Sequence, residues 1–167
     1  PKVRVKPSEW PDWFDALTAA VDTGVLLVID YALEAHRYFT ARRSNGTLMA
    51  VQAQRAALSP LDQPGEQDLT AHLCIDLVDD AAQRNGWSVG DQALQGEALL
   101  ALGLAGRLHG LQHLPGQQLA EALHRREALL RLVDPAGLGA FRWLTYGRGV
   151  SKDCFSLAAA QGIPGSP

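Results

Sequence analysis

The sequence is poor in cysteine. Only two of its 167 residues are cysteines, Cys74 and Cys154, and a chain of this length with so few thiols is not built on a disulfide framework. No CxxC pair or matching set of histidines accompanies them, so we expect no metal site. A cytoplasmic or equivalent reducing compartment is the simplest expectation.

Long apolar runs and charge of one sign are also absent. No stretch approaches the ~20 apolar residues needed to cross a bilayer, and the opening PKVRVKP lacks the apolar core of a secretion signal. A net charge of -3 creates no field that would attract nucleic acid or an anionic membrane. We therefore expect neither as a partner.

Patterns typical of strands and helices alternate along the sequence. Residues 25–29 form an unbroken apolar run typical of a strand covered on both faces. Further strands are predicted at 47–52, 87–94 and 141–146, and helices at 13–22, 33–43, 77–85, 97–108 and 117–133. In the last of these, leucines and Val133 are predicted to form a buried stripe. The alternation predicts an α/β fold, with helices packed on a mostly parallel sheet.

Three short motifs in a fixed order carry the functional signal. Ile29-Asp30-Tyr31 ends the apolar run, Gly46-Thr47-Leu48 follows, and PGEQDLTAHL occupies residues 64–73. In the third motif a Pro-Gly turn leads into Asp68, Thr70 and His72. Alternate residues share a face of an extended chain, so these three side chains would form a small polar cluster beside a sheet.

This order resembles the MidA-type methyltransferases, the family that includes the mitochondrial complex I assembly methyltransferase. The resemblance covers roughly residues 22 to 148, and its counterpart segments are VLLVIDYA (25–32), GTLMAV (46–51), PGEQDLTAHLCI (64–75), GWSVGDQALQG (86–96) and LVDPAGLGAFRWL (132–144). It implies a class I, Rossmann-like enzyme that transfers a methyl group from S-adenosylmethionine to a substrate. For the mitochondrial relative that substrate is a protein arginine, so a protein side chain is the expected acceptor here.

The sequence departs from the family pattern at several points. Ala32 replaces a glycine, Val51 and Gln54 replace an aromatic residue and a histidine, and Cys74 replaces an acidic residue. Nothing before residue 22 resembles the glycine-rich cofactor loop. Residues 1–150 are therefore interpreted as the carboxyl-terminal portion of a methyltransferase domain with inserted helices, and 151–167 as a flexible tail.

That interpretation has consequences for the cofactor and for partners. Absent segments would bind most of the S-adenosylmethionine, so no cofactor-binding residue is assigned and the chain alone is expected to be inactive. On the class I plan, 24–31 is the fifth strand, and 87–94 with 141–148 is the closing antiparallel pair. Such a piece would expose a sheet edge and an apolar face. We expect oligomerisation, or association with the missing amino-terminal half, to cover them.

Candidate catalytic residues are Asp30, Asp68 and His72. A carboxylate at the end of a strand lies where open α/β sheets bind ligands, and Asp30 there could hold a guanidinium. The alternative is that Asp30 caps a helix beginning near Leu33. Asp68 or His72 could accept the proton that an arginine loses. Alternatively, Asp68 and Thr70 only tie down their loop, and His72 is structural.

Substrate-binding candidates are Tyr31, Thr70 and Gln95. Gln95 is placed by the family pattern alone, since a surface amide is the default for such a residue. His109 and His113 stand four residues apart, but no acidic residue beside His109 completes a metalloprotease helix, and they are interpreted as two partly exposed histidines. A second functional hypothesis remains: a non-catalytic interaction or assembly module that keeps the methyltransferase scaffold.

Overall fold

The structure, a computed structural model, describes residues 9–52, 55–56, 59–61, 63–113 and 115–156. These residues fall into two compact units, each drawn from two stretches of chain. The first combines the residues up to Ala20 with Tyr31–Asn85, and the second combines Val21–Asp30 with the residues from Gly86 onward.

Helices and strands alternate along the described residues as the sequence predicts. In chain order they are α1 (Glu9–Ala20), β1 (Gly24–Asp30), β2 (Ala32–Leu33), α2 (Ala35–Tyr38), β3 (Met49–Gln52), β4 (Arg55–Ala56), β5 (Asp68–Thr70), β6 (Leu73–Cys74), α3 (Ile75–Arg84), β7 (Ser88–Leu94), α4 (Gln95–Ala101), α5 (Leu104–Gly110), α6 (Leu119–Val133) and β8 (Arg142–Arg148).

The first unit packs α1 against α3 and contains two small sheets. Phe14 of α1 and Val78 of α3 are fully buried, because each lies on the apolar face of its helix. One sheet has the order β4-β3-β5 with antiparallel pairing, and the other is the parallel pair β2–β6. The helix predicted over 33–43 is wrong: the parallel pairing holds Ala32 and Leu33 extended, and α2 spans four residues.

The second unit is built on an antiparallel sheet of order β1-β8-β7. Strand β8 pairs along β1 from Gly24↔Arg148 to Asp30↔Arg142, and along β7 with a register shift between Val89 and Gln92. Leu144 and Tyr146 of β8 are almost completely buried. The predicted closing pair of strands is confirmed. The parallel pairing expected for β1 is not found among the described residues, because its hydrogen-bonded neighbour is the antiparallel β8.

Helices α4, α5 and α6 lie in the chain between β7 and β8. The helix predicted over 97–108 is divided at Gly103, which has a φ of 89° and therefore ends one helix and begins the next. The i,i+4 ion pairs predicted on α6, Glu121–Arg125 and Glu127–Arg131, are confirmed. The predicted buried stripe is wrong: Ala122 is the buried residue of α6, and the leucines Leu119, Leu123 and Leu130 are exposed.

The chain stretch after β8 contains a packed residue. Residues Lys152–Phe155 form a 3₁₀ turn, and the Phe155 ring is buried where a Cβ atom on either Gly90 or Gly147 would overlap it. Two strands therefore need glycine at these positions to accommodate the ring. The tail was predicted to begin at residue 151, and its residues 157–167 lie outside the described part.

Strand β1 exposes one row of large aliphatic side chains. Val25, Leu27 and Ile29 are 48%, 43% and 45% exposed, whereas an apolar strand of this composition is normally covered. Among the described residues, β1 is hydrogen-bonded along one edge only, to β8. These two observations agree with the open edge and bare apolar face expected from the sequence.

We predict that the chain alone associates with itself in solution, because the row on β1 buries apolar surface only against another molecule. Analytical ultracentrifugation over a range of concentrations should show this association, and Leu27→Thr should reduce it. Leu100→Thr is a matched control, since Leu100 is at least as exposed as Leu27 but lies on helix α4. A monomer at every concentration would contradict the prediction.

Candidate functional site

One residue from each of the three sequence motifs, Tyr31, Thr47 and His72, lies close to the others in the first unit. Strands β2 and β6 run parallel with Ala32 opposite Leu73, and the Leu73 N–H donates to the Tyr31 carbonyl at 2.7 Å. Tyr31 and His72 are the residues immediately before these two strands. Their rings lie 5.8 Å apart between centroids at an angle of 45°. The pairing thus places an exposed phenol and a half-buried imidazole side by side.

Thr47 of the second motif fixes the backbone of His72. The buried Thr47 hydroxyl accepts a hydrogen bond from the His72 N–H at 3.2 Å and donates one to the His72 carbonyl at 3.4 Å. A hydroxyl can serve both roles at once. This double contact links residues 25 positions apart, so the GTL motif positions the histidine of the DLTAH motif.

Asp68 and Thr70 lie on β5, the strand that leads to His72. Asp68 is opposite Val51 of β3, and Thr70 is opposite Met49. Since they are two residues apart on a strand, their side chains share one face, as predicted. The strand ends at Thr70, so the expected alternation does not extend to His72. Asp68 is exposed and Thr70 is half-buried.

Asp30 belongs to the second unit. It is the last residue of β1, is half-buried, and lies opposite Arg142 of β8, a cross-strand pairing of opposite charges. The alternative that Asp30 caps a helix near Leu33 is wrong. Helix α2 begins at Ala35, and the Ala35 N–H donates at 2.6 Å to a carboxylate oxygen of Asp76.

Sequence reasoning missed the role of Asp76. This residue lies in the first turn of α3, and its carboxylate reaches the start of α2, which is 41 positions earlier in the chain. An acidic residue in a first helical turn is common, so its sequence context gave no sign of the contact. Asp76 joins the two helices that follow β2 and β6, and these strands position Tyr31 and His72.

Gln95 is buried in the second unit, and the surface-amide alternative is wrong. Its side-chain oxygen accepts from the Trp143 indole N–H at 3.2 Å, and its side-chain nitrogen donates to the Leu132 carbonyl at 3.0 Å. Its backbone N–H donates to the Phe141 carbonyl at 2.8 Å. These contacts tie the start of α4 to α6 and β8. Its predicted substrate contact stays a prediction.

Cys74, which stands at the family's acidic position, is a buried neutral thiol. Burial raises the pKa of the Cys74 thiol, and the neighbouring Asp76 carboxylate raises it further, although hydrogen bonds from the backbone of Leu77 and Asp76 act in the opposite direction. A thiol with a raised pKa is a poor nucleophile. Cys74 therefore contributes packing to the end of β6.

Helices of the described segments are all too short or too polar to cross a membrane. Metal-type clusters of three or more histidine, cysteine, aspartate or glutamate side chains are likewise absent from these segments.

Comparison with solved structures identifies the class of fold. A crystal structure from Burkholderia thailandensis, described as a "COG1565 superfamily member and likely methyl transferase" and bound to S-adenosyl-homocysteine, matches with a TM-score of 0.73 at 26% identity. The aligned region covers 84% of this chain and 36% of the Burkholderia thailandensis chain. A native crystal structure of a COG1565 superfamily protein from the same organism matches with a TM-score of 0.70 at 27% identity, over 84% and 37% of the two chains. The fold is that of a Rossmann-like methyltransferase.

A family model then identifies the family. The model described as "Putative S-adenosyl-L-methionine-dependent methyltransferase" matches residues 6–92, which is more than half of the chain, and the chain belongs to this family. No curated protein matches this chain. The chain spans little more than a third of the length of the solved structures that it matches.

We predict that Thr47→Val lowers the free energy of unfolding by about 1–3 kcal/mol, because the His72 backbone N–H and carbonyl would lose a buried partner. Thr47→Ser keeps the hydroxyl and should lose less. Urea denaturation of both variants provides the measurement. The idea fails if Thr47→Val is as stable as the unaltered chain.

Proposed function

We propose that this chain is the carboxyl-terminal portion of an S-adenosylmethionine-dependent methyltransferase of the MidA type, which methylates a protein side chain, with arginine as the acceptor. The observation that carries the proposal is the meeting of Tyr31, Thr47 and His72 through the β2–β6 pair and the Thr47 hydroxyl. All three residues lie inside the matched family region. The methyltransferase neighbour bound to S-adenosyl-homocysteine supports the same cofactor class.

S-adenosylmethionine supplies a sulfonium-bound methyl group, a strong electrophile that needs no metal activation. The protein must then align the acceptor nitrogen and exclude water. When the nitrogen of an arginine takes the methyl group, it loses a proton, and a nearby base accepts it. In this proposal His72 or Asp68 is that base. The contact of Thr47 with the backbone of His72 limits how far the imidazole can move.

The carboxylates have separate roles in the proposal. Asp30 would hold a guanidinium through paired hydrogen bonds, the geometry that arginine and carboxylate favour. Tyr31 would contact the substrate through its exposed ring, which is 37% accessible. Thr70, half-buried on β5, would orient the acceptor by hydrogen bonding. Gln95 would contribute to substrate binding by holding in place the segment around Trp143, to which it is hydrogen-bonded.

The described residues are better suited to bind the methyl acceptor than to bind the nucleoside part of the cofactor. Their glycines with positive φ are single residues in separate turns: Gly46, Gly65, Gly86, Gly103 and Gly149. A nucleotide-binding loop instead brings several glycines together between a strand and a helix. We therefore propose that a complementary portion of the domain binds most of the cofactor. That portion would also cover the row Val25, Leu27 and Ile29.

The non-catalytic alternative is not favoured by the family match or by the neighbour bound to S-adenosyl-homocysteine. The departures from the family pattern at Val51, Gln54 and Cys74 favour the alternative slightly. Cys74 is accounted for by burial, and Gln54 lies outside the described residues. A reducing, cytoplasmic location, a protein substrate, and no nucleic-acid or membrane partner complete the proposal.

We predict that Asp68→Ala, in the chain joined to its complementary portion, lowers kcat/KM for methyl transfer by about 10²–10⁴-fold through loss of proton acceptance. Transfer of radiolabelled methyl groups to protein is the measurement, and circular dichroism should show an unchanged fold. Asp80→Ala is the matched control, because Asp80 is an exposed carboxylate of the same unit that pairs with Arg84. Unchanged turnover in Asp68→Ala would remove it from the catalytic set.

We also predict that the 167-residue chain alone binds S-adenosyl-homocysteine much more weakly than micromolar. Isothermal titration calorimetry should show little heat for the chain alone, and clear binding once the complementary portion is present. Micromolar binding to the chain alone would show that its own residues hold the cofactor.

A further inference from the structure

We propose that His109 and His113 form a chelating site for one divalent transition-metal ion, such as Zn²⁺ or Ni²⁺. His109 lies in the last turn of α5, and His113 ends the 3₁₀ turn Leu111–His113 that continues it. Four residues of separation bring side chains onto the same face of a helical segment. The two Nε2 atoms lie 3.2 Å apart.

This separation matches the geometry of two ligands on one metal ion. Zinc–imidazole bonds of about 2.0–2.1 Å at a tetrahedral angle place two ligand nitrogens about 3.3 Å apart. The observed 3.2 Å between the Nε2 atoms is therefore close to the separation of two ligand nitrogens on one ion. The rings lie 4.9 Å apart at an angle of 78°, so they do not stack on each other.

A hydrogen bond between the imidazoles explains the same distance without a metal. In that arrangement one neutral imidazole carries its proton on Nε2 and donates to the other. In the metal-bound arrangement both rings carry their proton on Nδ1, and both Nε2 lone pairs face the ion. Only the second arrangement predicts that the two histidines bind metal as a unit.

The surroundings of the pair suit a site with two protein ligands. Both histidines are exposed, so water can complete the coordination shell without reorganising the fold. The described residues contain no third histidine, cysteine or carboxylate that would form a larger cluster with them. The helical segment ends here, and the outward-pointing carbonyl groups of a helix end favour a positive charge.

Occupancy would stabilise this helical segment. Helices α5 and α6 pack against each other, and the 3₁₀ turn also contacts α6. A metal ion that bridges the last turn of α5 and the 3₁₀ turn would hold that end in one conformation, and an ion that binds the folded state stabilises it by mass action. This effect is independent of methyl transfer, so metal binding can be tested separately from the proposed function.

The test is calorimetric titration of the tag-free chain with ZnCl₂ and, separately, NiCl₂, in a mildly alkaline buffer that does not chelate metals. We expect one ion per chain, with Ni²⁺ bound more tightly than a lone histidine binds it. His109→Ala and His113→Ala should each weaken binding by about tenfold or more, because loss of a metal ligand removes the chelate. Far-ultraviolet circular dichroism confirms that each variant is folded.

His124→Ala is the matched control, since His124 is an exposed histidine on the neighbouring helix α6 and should leave the affinity unchanged. Proton spectra should also show the imidazole signals of His109 and His113 shifting together on addition of Zn²⁺. Binding that survives either alanine substitution unchanged, or that falls equally in His124→Ala, would overturn the proposal. The hydrogen-bonded arrangement alone would then account for the 3.2 Å distance.

Discussion

The candidate site depends on one hydroxyl group. Thr47 contacts both the N–H and the carbonyl of His72, which lies with Ala71 between β5 and β6. Because a residue between two strands lacks a regular ladder partner for its polar groups, something else must satisfy them. Thr47 does so from the interior, where water does not compete for its hydrogen bonds. The position of the imidazole beside Tyr31 follows from this contact together with the β2–β6 pairing.

Much of the fold could be predicted from the sequence. The periodicity of α6 extends over 15 residues, and the apolar run of β1 is short, rich in β-branched residues and preceded by Gly24, which favours a strand. The antiparallel closing pair could be placed only through the resemblance to a known family, since pairing between distant strands leaves no local trace. The same resemblance selected Tyr31 and His72. That their rings lie side by side depends on tertiary structure and could not be read from the sequence.

The features that sequence reasoning missed depend on tertiary contacts. The helix expected after Tyr31 gives way to a strand because β6 offers hydrogen-bond partners to Ala32 and Leu33, and such pairing overrides local propensity. The leucines of α6 share a stripe, but periodicity cannot say whether anything covers it.

The position of β1 in the chain, far before its partner strand, has a consequence for the order of folding. Its hydrogen-bonded partner β8 lies more than a hundred residues later in the chain, and the first unit takes Tyr31–Asn85 from the stretch between them. Contacts so distant in sequence close a large loop and form slowly. During synthesis β1 leaves the ribosome well before residues 142–148, so the edge that pairs with β8 stays open during that interval. The interval favours chaperone capture of β1.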